Sequence, residues 1–451
     1  MNIIIFGAGK TGEYLARVFT SEGSDVTIVD KDGEKCRKIE SAIDVTALEF
    51  DGIKKEFFNK DYFSNVDLFI AVTAVDELNI TACTIAKKLG TGTTIARIRN
   101  EDYDQFKDLI DLSAEGIDLI IHPEKELTKE LINLVSYPEA LDIYNISKGE
   151  LYILSTEIKK DSPFLGRSLK DISKDKNINL ENYRVVFVEK GIETIIPKGR
   201  YVFEEKDKVY FISLKDHINQ FFSTIGCDYK RGRDIMINGW GDVSKTLAVE
   251  LERIGGFNVK LILNDRKKAE QLSEILTDTL VVVGEATDMD ILATEGIIDM
   301  DFYLALTGND EANMVSSLLA SHLDVKRTIT RIEETTYLPI SKTIGLGRCI
   351  NSSIATTNAI MRFFKHGKVV SSSTFKGINI DAITFKIDGD SKCIGKPISS
   401  LKFPGDTIIG AITRDDNFFI PAGNNEILPG DEIIVFTTRD LVPKIEKMFG
   451  N

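Results

Sequence analysis

The sequence predicts an α/β chain: two doubly wound parallel-sheet domains, each followed by a small α+β domain. Three observations carry that reading. A strand, a glycine-rich turn and a helix are spelled twice, as "NIIIFGAGKTGEYLA" from Asn2 and as "DIMINGWGDVSKTLA" from Asp234. The strands near each copy are continuous apolar runs, as parallel strands covered on both faces require. After each such region the pattern changes to short strands separated by turn residues.

Taken in chain order, "NIIIF" is a strand and Lys10 to Ser21 a helix. "DVTIVD" is the second strand, followed by a helix over about Gly33–Ser41. "VDLFIAVT" and "TTIARI" are buried strands, and strands alternating with helices give a doubly wound sheet. Next come "ELYILSTEI", "YRVVFVEKG", "ETIIPKG" and "KVYFIS", with a short helix after "FLGRSL" and a closing helix in "LKDHINQFFSTI". The basic stretch "CDYKRGR" (Cys227–Arg233) reads as a linker, and "FFKHGKVVSSS" (Phe363–Ser373) as its counterpart.

The whole pattern is an internal duplication. Gly7 recurs as Gly239, "TAVDELN" (from Thr73) as "TGNDEAN" (from Thr307), and "ARIRNEDY" as "ITRIEETTY". "DSPFLGRSLKDI" recurs as "DSKCIGKPISSL", and "KDKVYFIS" as "GDEIIVFT". The expected domains are 1–138, 139–226, 233–362 and 367–451, that is, two halves of two modules each.

Composition narrows the function. The chain has 451 residues, a net charge of −14 and a pI near 5.0. Nucleic-acid binders carry a basic footprint that is missing here, so no nucleic-acid partner is expected. The N-terminus begins as a strand with no basic region before it, so no signal peptide is expected. No apolar run is long enough to span a bilayer, so no direct membrane insertion is expected. The five cysteines (Cys36, Cys83, Cys227, Cys349, Cys393) are scattered without a CxxC, and the four histidines lie far apart. Free thiols in a reducing compartment and no metal site are the expectation.

The chemistry lies in the turns. Gly7-Ala8-Gly9-Lys10-Thr11-Gly12 is a full GxGxxG between a strand and a helix. The first glycine makes the turn, the second admits a pyrophosphate, and the third lets helix and strand pack closely. The helix start then offers free N–H groups and a positive dipole end. Asp30 ends the second strand where a carboxylate would hold ribose hydroxyls. A Walker loop is excluded by spacing.

In the second copy, Gly239-Trp240-Gly241-Asp242-Val243-Ser244, the third glycine is serine. Asp242 brings a negative charge where phosphate would sit, and Asn264 stands where the acid is expected, with Asp265 next. This copy has "GEATD" (Gly284–Asp288), an adenine-edge candidate formed by Gly284, Glu285, Ala286 and Thr287; the first has "ALEFDGI" instead.

Thr73-Ala74 and Thr307-Gly308 end the fourth strands, at the sheet edge where ligands bind in open α/β folds. Helix capping by Thr73 or Asp76, and by Asp310, is the competing role. Arg97 ends "TTIAR" and can fork onto phosphates. Arg331 is its counterpart, with a surface ion pair as the alternative.

Together these residues carry a resemblance. "TAVDELN", "TGNDEAN", the "ARI" strand, "GEATD", "SYPEALDI" (Ser136–Ile143) and "LKFPGDTIIGA" (Leu401–Ala411) resemble the RCK, or KTN (regulator of K⁺ conductance), family over essentially the whole chain. The order is RCK-N, RCK-C, RCK-N, RCK-C, the tandem form used in Trk-type potassium uptake. The resemblance implies two Rossmann-like nucleotide domains that bind NAD(H), with ATP or ADP as further ligands. It implies a homo-oligomer (dimer or tetramer) forming a ring on the cytoplasmic face of a potassium-translocating membrane subunit, gated by ligand exchange. Carried over by position, the nucleotide residues are Gly7, Ala8, Gly9, Lys10, Thr11, Gly12, Asp30, Thr73, Ala74 and Arg97 in the first copy. In the second they are Gly239, Trp240, Gly241, Asp242, Val243, Asn264, Gly284, Glu285, Ala286, Thr287, Thr307 and Arg331.

A dehydrogenase shares the glycine turn but needs an acid/base group beside the nicotinamide and a substrate module. Neither is found: His122 sits at a strand end before a helix, His217 lies in a helix, and the small modules are β-rich. A non-enzymatic regulator is expected. Regulation of another cation transporter or antiporter is the alternative.

Overall fold

The computed structural model describes residues 1–100, 103, 113–146, 149–175, 178, 180–191, 193–227, 232–364, 371–374, 378–389, 391, 393–415 and 417–449. Much of both expected linkers, residues 228–231 and 365–370, lies outside that set.

The first domain has strands β1 (Asn2–Phe6), β2 (Asp25–Asp30), β3 (Thr46–Glu49), β4 (Leu68–Ala71), β5 (Thr93–Arg97) and β6 (Leu119–Ile121). They form one sheet in the order β3-β2-β1-β4-β5-β6, and every pairing is parallel. This is the Rossmann order, with its switch point between β1 and β4. Helices Lys10–Ser21 and Asp76–Leu89 follow the two strands that flank that point.

The second module has β7 (Ile143–Ile146), β8 (Leu151–Glu157), β9 (Tyr183–Lys190), β10 (Glu193–Ile195) and β11 (Lys208–Leu214). These pair antiparallel in the order β10-β9-β11-β8-β7. The duplication then repeats. Strands β12 (Asp234–Asn238), β13 (Asn258–Leu263), β14 (Leu280–Val283), β15 (Phe302–Ala305), β16 (Thr328–Arg331) and β17 (Arg348–Ile350) form a second parallel sheet, β14-β13-β12-β15-β16-β17. Strands β18 (Ser371–Thr374), β19 (Ile380–Lys386), β20 (Thr407–Arg414), β21 (Asn417–Phe419) and β22 (Glu432–Thr438) form a second antiparallel sheet, β18-β19-β22-β20-β21.

The modules do not associate in chain order. One compact unit joins the two parallel-sheet domains (Met1–Val135 with Gly232–Phe363), and the other joins the two antiparallel modules (Ser136–Arg231 with Phe364–Asn451).

In the antiparallel unit one core is shared by both sheets: Ile153, Phe187 and Ile212 pack with Ala382, Ile434 and Phe436. Gly410 sits at a bulge in β20, where an added Cβ would lie 2.4 Å from the Phe436 ring. Arg184 of β9 donates to the carbonyls of Ile409 (2.8 Å) and Pro421. Burial pulls its guanidinium down to about 10. Within the first antiparallel module, Lys208 pairs with Asp142 at 2.7 Å and Glu189 at 3.1 Å, and the Tyr210 hydroxyl, with one proton to donate, stands 2.7 Å from Asp142 and 2.9 Å from Glu189.

The cysteines are free, with Cys36, Cys83, Cys227 and Cys393 buried. Among the described residues, no helix is long and apolar enough to cross a membrane.

Candidate functional site

The first glycine turn is set by backbone geometry. Gly7 has φ +118°, which L side chains rarely adopt, and a Cβ there would lie 2.9 Å from the Thr73 amide nitrogen. A Cβ on Gly12 would lie 1.8 Å from the Gly7 carbonyl oxygen, so the helix packs directly on the turn. Gly9 differs: its φ is −76° and a Cβ would meet nothing within 4 Å. Gly9 is the N-cap of helix Lys10–Ser21 and no side chain caps it. The first N–H groups of a helix have no partner inside it, so this end presents free donors to an open space.

Asp30 closes β2 beside the turn. Its Oδ2 accepts from the Ala8 amide at 2.7 Å and its Oδ1 from the Asp32 amide at 3.0 Å. Asp30 therefore braces the turn and keeps lone pairs for further donors. Cys36, in the helix Gly33–Ala42 that follows, is buried, and burial pushes its thiol up.

The tips of β4 and β5 are tied by Asn79, which is fully buried. Its Oδ1 accepts from the Thr73 amide (3.0 Å) and hydroxyl (2.6 Å), and its Nδ2 donates to the carbonyls of Thr73 (3.2 Å) and Arg97 (2.8 Å). Asn313 makes the same four bonds to Thr307 and Arg331 in the second domain. Sequence reasoning quoted both motifs but gave these asparagines no role; the signal was the Thr-x5-Asn spacing common to both halves.

The expected aspartate caps take another form. Val75 is the N-cap of helix Asp76–Leu89, and Asp76 instead accepts from the amides of Arg99 and Asn100. In the second domain Asn309 caps, accepting from the Ala312 amide, while Asp310 accepts from those of Glu333 and Glu334. Both aspartates hold the loop after the fifth strand, because their helices start one residue earlier than expected.

These elements enclose a cavity of about 540 Å³, within the range of ligand sites. Gly7, Gly9, Lys10, Thr11, Asp30, Thr73, Ala74 and Arg97 line it, with Phe50 and Gly52 on the β3 side. The second domain contributes Arg331, Glu333, Ser352 and Ser353 to the same wall. Thr11 and Ser353 hydroxyls meet at 3.0 Å, and Lys10 pairs with Glu334 at 3.4 Å. Arg331 thus faces the first domain's cavity, its Nε 2.7 Å from Glu333. Arg97 Nε is buried and has no hydrogen-bond partner. Burial lowers the Arg97 pKa, and Arg99 alongside acts in the same direction. Arg97, Arg99 and Arg331 line the cavity beside Glu124 and Glu333, and the unpaired Arg97 Nε is a donor suited to an anion.

The second turn keeps the backbone frame of the first and differs from it in side chains. Gly239 has φ +122°, and Gly241 is an N-cap with no side-chain partner and no neighbour within 4 Å of a Cβ. Asp242 and Val243 open the helix Asp242–Ile254. Ser244 is fully buried, and its hydroxyl has no hydrogen-bond partner. Trp240 is exposed, with Lys268 Nζ 5.0 Å from its ring centre.

The residue matching Asp30 is not Asn264. Gly7 donates to the Val29 carbonyl and Gly239 to that of Ile262, so Asp30 corresponds to buried Leu263. Asp265 corresponds to Asp32, and each caps its helix. The expected position is one residue late: β13 ends at Leu263, and Asn264, like Lys31 in the first copy, is the single residue between the strand and its capping aspartate. Asn264 instead donates to Glu285 at 2.8 Å. In "GEATD", Gly284 follows β14 directly and donates to the Leu263 carbonyl at 2.9 Å, Ala286 is core, Asp288 caps Met289–Thr294, and Thr287 lies between these last two.

Comparison with known proteins agrees with this architecture. The TrkA-N domain model matches residues 3–123 and 235–352, and the TrkA-C domain model matches 153–226 and 383–450. The chain is 30% identical over 455 residues to the Trk system potassium uptake protein TrkA of Vibrio alginolyticus, covering all of this chain and 98% of that one. It is 29% identical over 456 residues to TrkA homolog 1 of Methanosarcina mazei, covering both in full. Among solved structures, the GsuK RCK domain superposes with a TM-score of 0.61 at 18% identity, covering 99% of this chain and 94% of that one. The GsuK channel bound to NAD superposes with a TM-score of 0.61 at 17% identity, covering 99% and 78%.

Proposed function

Because this chain belongs to the TrkA family of tandem TrkA-N and TrkA-C proteins, we propose that it is the nucleotide-sensing regulatory subunit of a Trk-type potassium-uptake system. In this reading it works on the cytoplasmic face of the membrane as a dimer or tetramer, docked on the potassium-translocating subunit, and catalyses no reaction. The supporting observation is the first-domain cavity: an uncapped glycine turn at the switch point, closed by residues of the second domain.

The residues present fit a nucleotide. Asp30 would take ribose hydroxyls, the amides at Gly9 to Thr11 the phosphates, and Thr73 and Arg97 the far side of the anion. NAD(H), and ATP or ADP, all carry the ribose and phosphate groups these residues select; a bound nucleotide supplies binding energy, not chemistry. Since the cavity wall comes from both domains, a ligand preferring one arrangement of the pair shifts the population toward it. Coupling of about 1–3 kcal/mol is ordinary for such switches. The second turn has Leu263 for the acid and Asp242 beside the phosphate position, which favours the first domain as the principal sensor.

The test is calorimetric titration of the full chain with NADH, NAD⁺, ATP and ADP, followed by rubidium flux into vesicles carrying a Trk-type membrane subunit. Binding at about one site per chain and a nucleotide-dependent change in flux are expected. A chain that binds none of the four would overturn the reading.

A further inference from the structure

The second domain's contribution to the first domain's cavity has a specific chemistry. Arg331 ends β16, and its Nε is held by Glu333 at 2.7 Å. The same Glu333 oxygen also accepts the Ser352 hydroxyl. Ser352 starts the helix Ser352–Phe364 and, like Arg331, lines the cavity. Arg331 and Glu333 are both largely buried, so their pair is shielded from bulk water.

Strand order places these groups. Along β3-β2-β1-β4-β5-β6, Asp30 lies on one side of the glycine turn and Arg97 on the other. Ser353 touches Thr11 at the turn, and Glu333 lies close enough to Arg97 to act on its charge. Arg331, Glu333 and Ser352 therefore stand past the turn, away from the ribose acid.

We propose that Arg331 and Glu333 of the second domain form a latch that reads the end of a phosphate chain bound in the first domain, and so selects nucleoside di- and triphosphates over a dinucleotide. This rests on the nucleotide reading above. A terminal phosphate carries extra negative charge and unshared oxygens, which a guanidinium fork recognises. In a dinucleotide the pyrophosphate is internal and its far end is a nucleoside, with no terminal phosphate to draw Arg331 from Glu333. When a phosphate takes Arg331, Glu333 is left with Ser352, and the start of the helix Ser352–Phe364 senses the change.

The experiment compares ATP, ADP, AMP and NADH binding to the full chain in the Gly241→Asp background, which silences the second turn. Arg331→Gln should weaken ATP about 10- to 100-fold, the range for a lost charged hydrogen bond, and leave NADH within about twofold. Arg331→Lys should recover part of the loss, keeping charge without the fork. Glu333→Gln should tighten ATP several-fold by freeing Arg331. Equal losses for ATP and NADH in Arg331→Gln, or no loss for either, would overturn the latch while leaving the nucleotide site standing. Failure of the Gly241→Asp parent to bind any of the four ligands, in a chain that unfolds cooperatively, would overturn both.

Discussion

Replacing Gly9 by aspartate should remove nucleotide binding from the first domain without harming its fold. The backbone at Gly9 (φ −76°, ψ −177°) is open to any residue, and a Cβ there meets nothing within 4 Å. Aspartate is a favoured N-cap, and this helix has no side-chain cap, so the change from glycine should stabilise the helix by about 0.3 kcal/mol, a few tenths. The new carboxylate would use the same N–H groups that phosphate needs. It would also repel each ligand charge about 5 Å away by about 3 kcal/mol at an effective dielectric of 20. Each 1.4 kcal/mol is tenfold in affinity, so a loss of more than about 100-fold is expected. Calorimetry gives the affinity and stoichiometry, and thermal unfolding gives the fold. Wild-type affinity for NADH and ATP with unchanged stoichiometry would refute the assignment of phosphate to this turn. An unfolded variant would refute the claim that the space beside Gly9 is free.

Other glycines of the turn should behave in the opposite way. Gly7→Ala forces φ +118° on an L residue, and Gly12→Ala drives a Cβ into the Gly7 carbonyl. Each should cost about 1–3 kcal/mol or more in thermal or urea unfolding. Asn79→Ala removes four hydrogen bonds at the tips of β4 and β5 and leaves buried polar groups unpaired. A loss of about 2–3 kcal/mol together with weaker nucleotide binding is expected, whereas Asn313→Ala should lose similar stability and leave first-domain affinity less affected. Lys208→Met strips the Asp142–Glu189 pair of its cation and should destabilise by about 2–3 kcal/mol, read by urea unfolding at neutral pH.

The same cluster sets a pH window. Burial pushes the Asp142 carboxyl up, but hydrogen bonds from Lys208, Tyr210 and Ser155 outweigh it and hold it below 3.8. Its stabilisation is therefore full above about pH 3.8 and is lost as pH falls through the lowered value. Burial pushes the Lys208 ammonium down, but its hydrogen bond to Asp142 raises it above 10.5. That contribution is present below pH 10.5 and lost as pH climbs through the raised value. The Lys208→Met penalty should be flat around neutral pH and shrink toward the acid limit, because the buried Asp142 protonates at higher pH once its cation is gone.

Much of the architecture was legible from the sequence because it is local. Periodicity and turn residues placed the helix Lys10–Ser21 and the strands "NIIIF" and "DVTIVD" where they stand. The positive φ of Gly7 and Gly239 follows from the tight strand-to-helix turn that only glycine makes easily. The register of Asp30 was less legible. A one-residue slip moves a strand residue to the other face, and only the bonds of Gly7 to Val29 and of Gly239 to Ile262 identify Leu263 as its counterpart.

By itself, then, the sequence determined a duplicated α/β chain, its two glycine turns and the acid beside the first of them. Each depends on residues within a few tens of positions, where backbone sterics and burial leave little choice. Tertiary structure decided that the two parallel-sheet domains join each other rather than their neighbours in the chain. It also decided that Arg331, Glu333, Ser352 and Ser353 close a cavity built around Gly9, and that Asn79 and Asn313 tie the strand tips. The domain and cavity pairings join residues hundreds of positions apart through the packing of whole surfaces, which no local pattern in the chain records, whereas the asparagine ties span only 6 and 18 positions and are marked by the repeated Thr-x5-Asn spacing.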